Sequence, residues 1–112
     1  MPSDIVEAVK GKDLAQVKAL LAADPELAKT ETREGSLILT AVYHGALDVV
    51  PIIREAHAEL NIFEAAAVGD ADRIQAIIET SPRQANASNR DGFTPLGLSA
   101  FFGHRDAAER LL

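Results

Sequence analysis

The stretch "DGFTPLGLSAFFGH", residues 91–104, contains signals for both the start and the end of one short helix. Thr94 can cap a helix with its hydroxyl, and Pro95 suits the first helical position, where its missing N–H costs nothing. Gly103 supplies the left-handed residue that commonly ends a helix. A helix confined between these signals is too short to be stable alone in water. We therefore expect it to be one element of a repeated structure.

The composition is typical of one soluble globular domain. The chain has 112 residues, of which 47% are hydrophobic and 25% charged, and its net charge is −6. This charge argues against nonspecific binding to nucleic acid phosphates or to anionic lipids, and no apolar run is long enough to span a membrane. The absence of cysteine excludes disulfides and thiolate metal sites. Since no basic segment followed by an apolar stretch opens the chain, we expect a cytoplasmic protein. We also expect no cofactor.

An internal repeat emerges when residues 5–35 are aligned with residues 62–92. At an offset of 57 the two segments share nine identical positions, including Gly35 with Gly92. Phe93 is then an extra residue, and beyond it the offset becomes 58. The sequence thus contains two copies of one long repeat, and each copy is called a double unit because it divides further.

Each double unit divides again. The signals that end its inner helices, Lys12-Asp13 and Gly45-Ala46, are 33 residues apart, and Gly69-Asp70 and Gly103-His104 are 34 apart. Apolar residues at helical spacing follow each signal, which predicts four short helix pairs and no strong strand.

The motif at residues 91–104 resembles the ankyrin repeat, whose pattern reads Asp-Gly-x-Thr-Pro-Leu-His-Leu-Ala-Ala-x-x-Gly-His, and the spacings match the period of that family. The resemblance implies an all-α fold, a short solenoid of about four stacked helix pairs with β-turn fingers. It also implies a protein-binding surface on the fingers and inner helices. The whole chain, 1–112, would be a single ankyrin-repeat domain, with approximate units 1–22, 23–54, 55–79 and 80–112.

Three residues depart from the family pattern. Gly97 replaces the family's histidine. Lys12 occupies the usual glycine position, so we expect Gly11 to take the left-handed conformation one residue earlier. Pro51 falls inside the expected outer helix of the second repeat, where an interior proline would cost about 3 kcal/mol or force a kink.

One junction is unusually short. The chain uses 17 residues from Leu21 to Ile38 but only nine from Ile53 to Ile62. We therefore predict no projecting finger within residues 54–61. Fingers would remain only at about 23–35 and 80–94, with a notch between them.

The candidate partner-binding residues lie at the finger tips and at the ends of two inner helices. Phe93 stands out, because an aromatic side chain near an exposed turn is a plausible anchor for a partner. The alternatives are that the tips are merely solvated turns, that Phe93 tucks beneath its own loop, and that the helix-end aromatics pack between repeats. The predicted contacts are Arg33, Glu34, Tyr43, His44, Asn89, Arg90, Asp91, Phe93 and Phe101.

No residues suggest a catalytic site. The chain has no Gly-x-Ser-x-Gly elbow and no glycine-rich phosphate loop. His57 lies among Glu55, Glu59 and Glu64, which would allow a weak metal site, although a solvated charged turn is the favoured interpretation. We therefore predict no catalytic residue and no metal ligand.

The predicted function is a noncatalytic protein–protein interaction module with two fingers and an inner helical groove. The acidic chain favours a basic partner. The alternatives are a self-assembling structural repeat and, less favoured, a small metal-dependent hydrolase.

The end of the chain adds one further expectation. No polar capping helix follows Leu111 and Leu112. With Leu96 and Leu98 they would form an exposed apolar patch. This predicts homo-association through the C-terminal end, or a chain that is part of a longer repeat protein.

Overall fold

The computed structural model describes residues 2–57, 59–89 and 92–112, with side chains from Asp4 onward. All regular secondary structure in these residues is helical, which confirms the predicted all-α class. The chain divides into two compact units, Met1–Glu59 and Leu60–Leu112. Each unit contains one copy of the internal sequence repeat.

The first unit consists of four α-helices and two short 3-10 helices. In chain order they are α1 (Pro2–Lys10), α2 (Leu14–Ala23), a 3-10 helix (Pro25–Lys29), α3 (Leu37–Tyr43), a second 3-10 helix (Leu47–Val49) and α4 (Val50–Ala56). Helix α1 packs against α2 and α3, and α4 packs against α2 and α3. The larger buried side chains of this unit are Ile5, Val9, Val17, Leu37, Ile38, Val49 and Ile53.

The second unit repeats this order, except that no 3-10 helix lies between its last two α-helices, a stretch that is fully described. It contains α5 (Ile62–Val68), α6 (Ala71–Thr80), a 3-10 helix (Pro82–Asn86), α7 (Pro95–Phe101) and α8 (Arg105–Leu111). Helix α5 packs against α6 and α7, and α8 packs against α6 and α7. Helix α6 begins 57 residues after α2, and α7 begins 58 residues after α3, as the sequence offsets predict. The larger fully buried apolar side chains of the second unit are Leu60, Ile62, Ile74 and Leu98.

Side-chain caps fix where the helices begin. The Thr94 hydroxyl accepts a hydrogen bond from the Gly97 N–H at 3.0 Å, and Pro95 opens α7, as predicted. Asn61 and Glu64 form a capping box at the start of α5. These bonds satisfy backbone N–H groups that have no partner within the helix.

The left-handed residue that ends α1 is Lys12, with φ of 58°, so the expectation for Gly11 is wrong. The Lys12 N–H donates to the Val9 carbonyl at 3.0 Å, and the Asp13 N–H donates to the Ala8 carbonyl at 2.9 Å. These two bonds require the reversal of the chain at position 12. Gly69, the equivalent residue that ends α5, has φ of 80°.

Pro51 is not in a helix interior, which corrects the expected kink. A 3-10 helix precedes α4, so α4 begins only at Val50 and Pro51 lies in its first turn. A proline there gives up no helical hydrogen bond.

The junction between the two repeats is short. Helix α4 ends at Ala56 and α5 begins at Ile62, which leaves five connecting residues. One of them, Ala58, lies outside the described residues, so the absence of a finger within residues 54–61 stays a prediction. No helix in the described part of the chain combines the length and apolar character needed to cross a bilayer.

Candidate functional site

A tight turn precedes α3 in the first unit. The Gly35 N–H donates to the Thr32 carbonyl at 3.0 Å, and Gly35 has φ of 118°. The side chain of Arg33 at this turn is exposed, whereas that of Glu34 is half-buried. Of the two predicted contacts at this tip, Arg33 is therefore the more accessible.

A buried hydroxyl explains the position of Glu34. Thr40 on α3 is fully buried, and its Oγ1 lies 2.7 Å from Thr32 Oγ1 and 2.9 Å from Glu34 Oε1. The Thr40 hydroxyl also lies 2.9 Å from the Ser36 carbonyl oxygen, and it donates its one proton to only one of these three oxygens at a time. The nearby Ser36 carbonyl accepts the Thr40 backbone N–H at 2.9 Å. The network ties the turn to α3, and a contact of Glu34 with a partner stays a prediction.

The corresponding turn of the second unit is closed by Asn89. Its Oδ1 accepts the Phe93 N–H at 2.9 Å, and its own N–H donates to the Phe93 carbonyl at 2.9 Å. The Gly92 N–H donates to the Asn89 carbonyl. Asn89 therefore holds this turn together, and the predicted contacts Arg90 and Asp91 lie outside the described residues.

Two aromatic side chains of the second unit are exposed to solvent. Phe93, just before the N-cap of α7, is 41% exposed, and Phe101, in the last turn of α7, is 75% exposed. Gly97 is half-buried and lies on the same helix face as Phe101, which it precedes by four residues, and Ala100 is exposed. We call Phe93, Gly97, Ala100 and Phe101 the aromatic surface.

The ring of Phe102 supports this surface from one side. Its centroid lies 4.9 Å from that of Phe101, with the rings nearly perpendicular at 82°. Such an edge-to-face pair is a favourable aromatic arrangement. Phe101 is thereby restrained although most of its surface faces solvent.

The predicted contacts at the end of α3 have a different environment. Tyr43, which occupies the position equivalent to Phe101, is half-buried, and its hydroxyl oxygen is inaccessible to solvent. His44 is exposed. Tyr43 and Phe101 belong to different units, so the predicted common groove and the predicted notch both stay predictions.

Two side chains that the sequence did not single out hold the helices of the second unit together. Ser99 Oγ donates to the Ala66 carbonyl at 3.2 Å, and His104 Nε2 bonds the Ala67 carbonyl at 2.8 Å. Both carbonyls lie in the last turn of α5, where no N–H of the helix donates a hydrogen bond to them. A carbonyl only accepts, so His104 carries its proton on Nε2. These bonds fix α5 to the elements that carry the aromatic surface.

The carboxylate of Glu64 has a structural role. It is 2% exposed, and its Oε1 accepts the Asn61 N–H at 2.9 Å as part of the capping box. Within residues 4–57, 59–89 and 92–112, no three His, Asp or Glu side chains are grouped so that they could hold a metal ion.

The predicted apolar patch at the end of the chain is smaller than expected. Leu112 is 87% exposed, and Leu96 and Leu111 are half-buried. Leu98 is buried in the core of the second unit, so its assignment to the patch is wrong. Leu98 is covered because α7, on which it lies, packs against α5 and α8.

Comparison with known proteins identifies no relative: no protein-family model matches the chain, and no curated protein is significantly similar to it.

Proposed function

We propose that the chain is a noncatalytic binding module, built of ankyrin-like helix pairs, that recognises another protein through the aromatic surface. The ankyrin-like assignment rests on the repeated helix order, on the Thr94-Pro95 start of α7 and on the left-handed residues that end the inner helices. The proposed setting is the cytoplasm, with the cysteine-free composition as its support.

The observation that carries the proposal is the exposure of Phe93 and Phe101 in the same unit. Complete burial of a phenylalanine side chain contributes about 1.5–3 kcal/mol. Aromatic residues are also enriched among the few side chains that dominate binding energy at interfaces. Two exposed phenylalanines in the same unit offer a partner two aromatic anchors.

Rigid presentation supports the same proposal. The backbone of Phe93 is fixed by two hydrogen bonds with Asn89: the Phe93 N–H donates to Asn89 Oδ1, and the Phe93 carbonyl accepts the Asn89 N–H. Phe101 is restrained by the ring of Phe102. Side chains that are already ordered lose little entropy on binding, so more of the burial energy contributes to affinity.

The charge of the chain bears on the choice of partner. A net charge of −6 favours a basic protein and accelerates the encounter more than it strengthens the complex. Arg33, exposed at the first turn, is proposed as a secondary contact.

The test compares matched variants in affinity capture followed by mass spectrometry. Phe93→Ala and Phe101→Ala each remove one anchor, and Leu47→Ala removes a side chain of the first unit that is 63% exposed. We expect one set of proteins to be retained by the wild type and by Leu47→Ala and lost with both phenylalanine variants. Recovery of the same set with the Phe93→Ala/Phe101→Ala double variant would contradict the proposal.

The exposure of Leu112 favours a second candidate, self-association through the C-terminal end. Under this candidate, sedimentation velocity shows a larger species as the concentration rises, and Leu112→Ser abolishes it. A monomer at all concentrations excludes the candidate.

A further inference from the structure

The first unit contains an open groove, whereas the aromatic surface belongs to the second unit. It has a volume of about 410 Å³ and lies between α2, the start of the following 3-10 helix and α4. This volume falls within the range of ligand-binding clefts, about 300–1,000 Å³. The apolar part of its lining consists of Leu21, Ala22, Pro25, Ile52 and Ala56.

Two opposite charges flank this apolar lining. Lys18 is on α2 and Glu55 is on α4, and both side chains are exposed. Neither forms a hydrogen bond or an ion pair within the described part of the chain. Other charged side chains do pair, such as Lys29 with Glu26 at 3.5 Å. The groove therefore has a free cation on its α2 side and a free anion on its α4 side.

Two positions that line the groove carry charged residues in the second unit. The position equivalent to Ala22 is Glu79, and the position equivalent to Ile52 is Arg110. Arg110 lies 3.7 Å from Asp72, so that unit has a charge pair between α6 and α8. At these two positions the apolar lining is thus specific to the first copy of the repeat.

We propose that this groove binds a short segment of a protein partner, in which an apolar side chain lies between an acidic and a basic residue. The acidic residue would pair with Lys18 and the basic residue with Glu55, while the apolar side chain contacts Leu21 and Ile52. The lining is too small for an interface of about 1,200–2,000 Å², which favours a short segment over a folded domain. The proposal does not depend on the aromatic surface, since that surface is in the other unit.

The test uses four synthetic peptides that share a central leucine and differ in their flanking charges. The flanks are acidic and basic, basic and acidic, both acidic, or both basic. We expect the wild-type protein to bind one of the two mixed-charge peptides most tightly. Lys18→Glu should weaken that peptide roughly two- to five-fold and favour the doubly basic one, because it leaves two carboxylates beside the groove. Glu55→Lys should favour the doubly acidic one.

Matched controls separate a local effect from the effect of net charge. Lys10→Glu makes the same charge change as Lys18→Glu at an exposed position of α1. Ile52→Arg copies the second unit and should abolish binding, whereas Leu47→Arg, at an exposed apolar position of the same unit, should not. Circular dichroism confirms that each variant folds.

Backbone amide shifts on titration of the preferred peptide locate the contact. Changes centred on Leu21, Ile52 and Ala56 support the proposal. It is overturned if no peptide binds at 1 mM, if Lys10→Glu shifts the preference as much as Lys18→Glu, or if the shifts centre outside the groove.

Discussion

The imidazole of His104 lies directly against the backbone of Gly69. A β-carbon built at position 69 would lie 2.5 Å from His104 Nδ1 and 2.7 Å from its Cγ, closer than any real contact allows. The same ring bonds the Ala67 carbonyl through Nε2. In the first unit the positions equivalent to Gly69 and His104 are Lys12 and Ala46. The left-handed residue there, Lys12, has a side chain, and the residue opposite it is an alanine rather than a histidine. The two positions differ together between the copies.

Gly69→Ala should therefore cost more stability than loss of a left-handed glycine alone. We expect a decrease of about 2–4 kcal/mol in the free energy of unfolding, from backbone strain at φ of 80° plus displacement of the His104 ring. Gly103→Ala is the matched control. It has φ of 74° but nothing within 4 Å of its built β-carbon, so it should cost only about 1–2 kcal/mol. Urea denaturation measures both.

A double-mutant cycle separates the two contributions. In a His104→Ala background, the cost of Gly69→Ala should fall to that of Gly103→Ala. An unchanged cost would mean that the ring does not contribute.

Lys12→Gly should stabilise the protein by about 0.5–1 kcal/mol. Lys12 is a non-glycine residue with φ of 58°, and glycine adopts this conformation without the strain. Lys10→Gly, at the end of α1 itself, is the control and should destabilise the protein by up to about 1 kcal/mol. Thermal denaturation reports both signs, and a destabilising Lys12→Gly would contradict the assigned reversal.

Thr40→Val should destabilise the protein by about 1–3 kcal/mol. The valine has nearly the same shape, but it leaves Glu34 and Thr32 without their bonds to a buried hydroxyl. Thr80→Val removes an exposed hydroxyl that bonds only the Ala76 carbonyl, and it should change stability by at most about 0.5 kcal/mol. Equal effects of the two substitutions, measured by urea denaturation, would exclude the proposed network.

Local signals were enough to predict the helical class, the repeat offsets and the start of α7. The Thr94 cap and Pro95 act within a few residues, so their effect can be read from neighbouring positions. The left-handed Lys12 could not be predicted in this way, because a glycine stood next to it and the deciding bonds reach back to Ala8 and Val9. The 3-10 helix before α4, which places Pro51 in the first turn of α4, could not be predicted from neighbouring residues either.

The candidate site was harder to predict for the same reason. Glu34 and Asn89 read as exposed turn residues, yet each side chain bonds within its own turn or to the following helix. Leu98 and Phe101 are three residues apart on one short helix, and only the packing of α7 decides that the first is buried and the second exposed. Exposure of an apolar residue is a tertiary property, which periodicity over seven residues does not fix.

The central claim is that Phe93 and Phe101 contact a protein partner rather than stabilise the fold. The most direct test is isothermal titration of the captured partner into the Phe93→Ala/Phe101→Ala double variant, with its unfolding free energy measured in parallel. We predict a loss of at least about 10-fold in affinity with less than about 1 kcal/mol lost in stability, because both rings are exposed before binding. Unchanged affinity, or a stability loss above about 2 kcal/mol, would contradict the account.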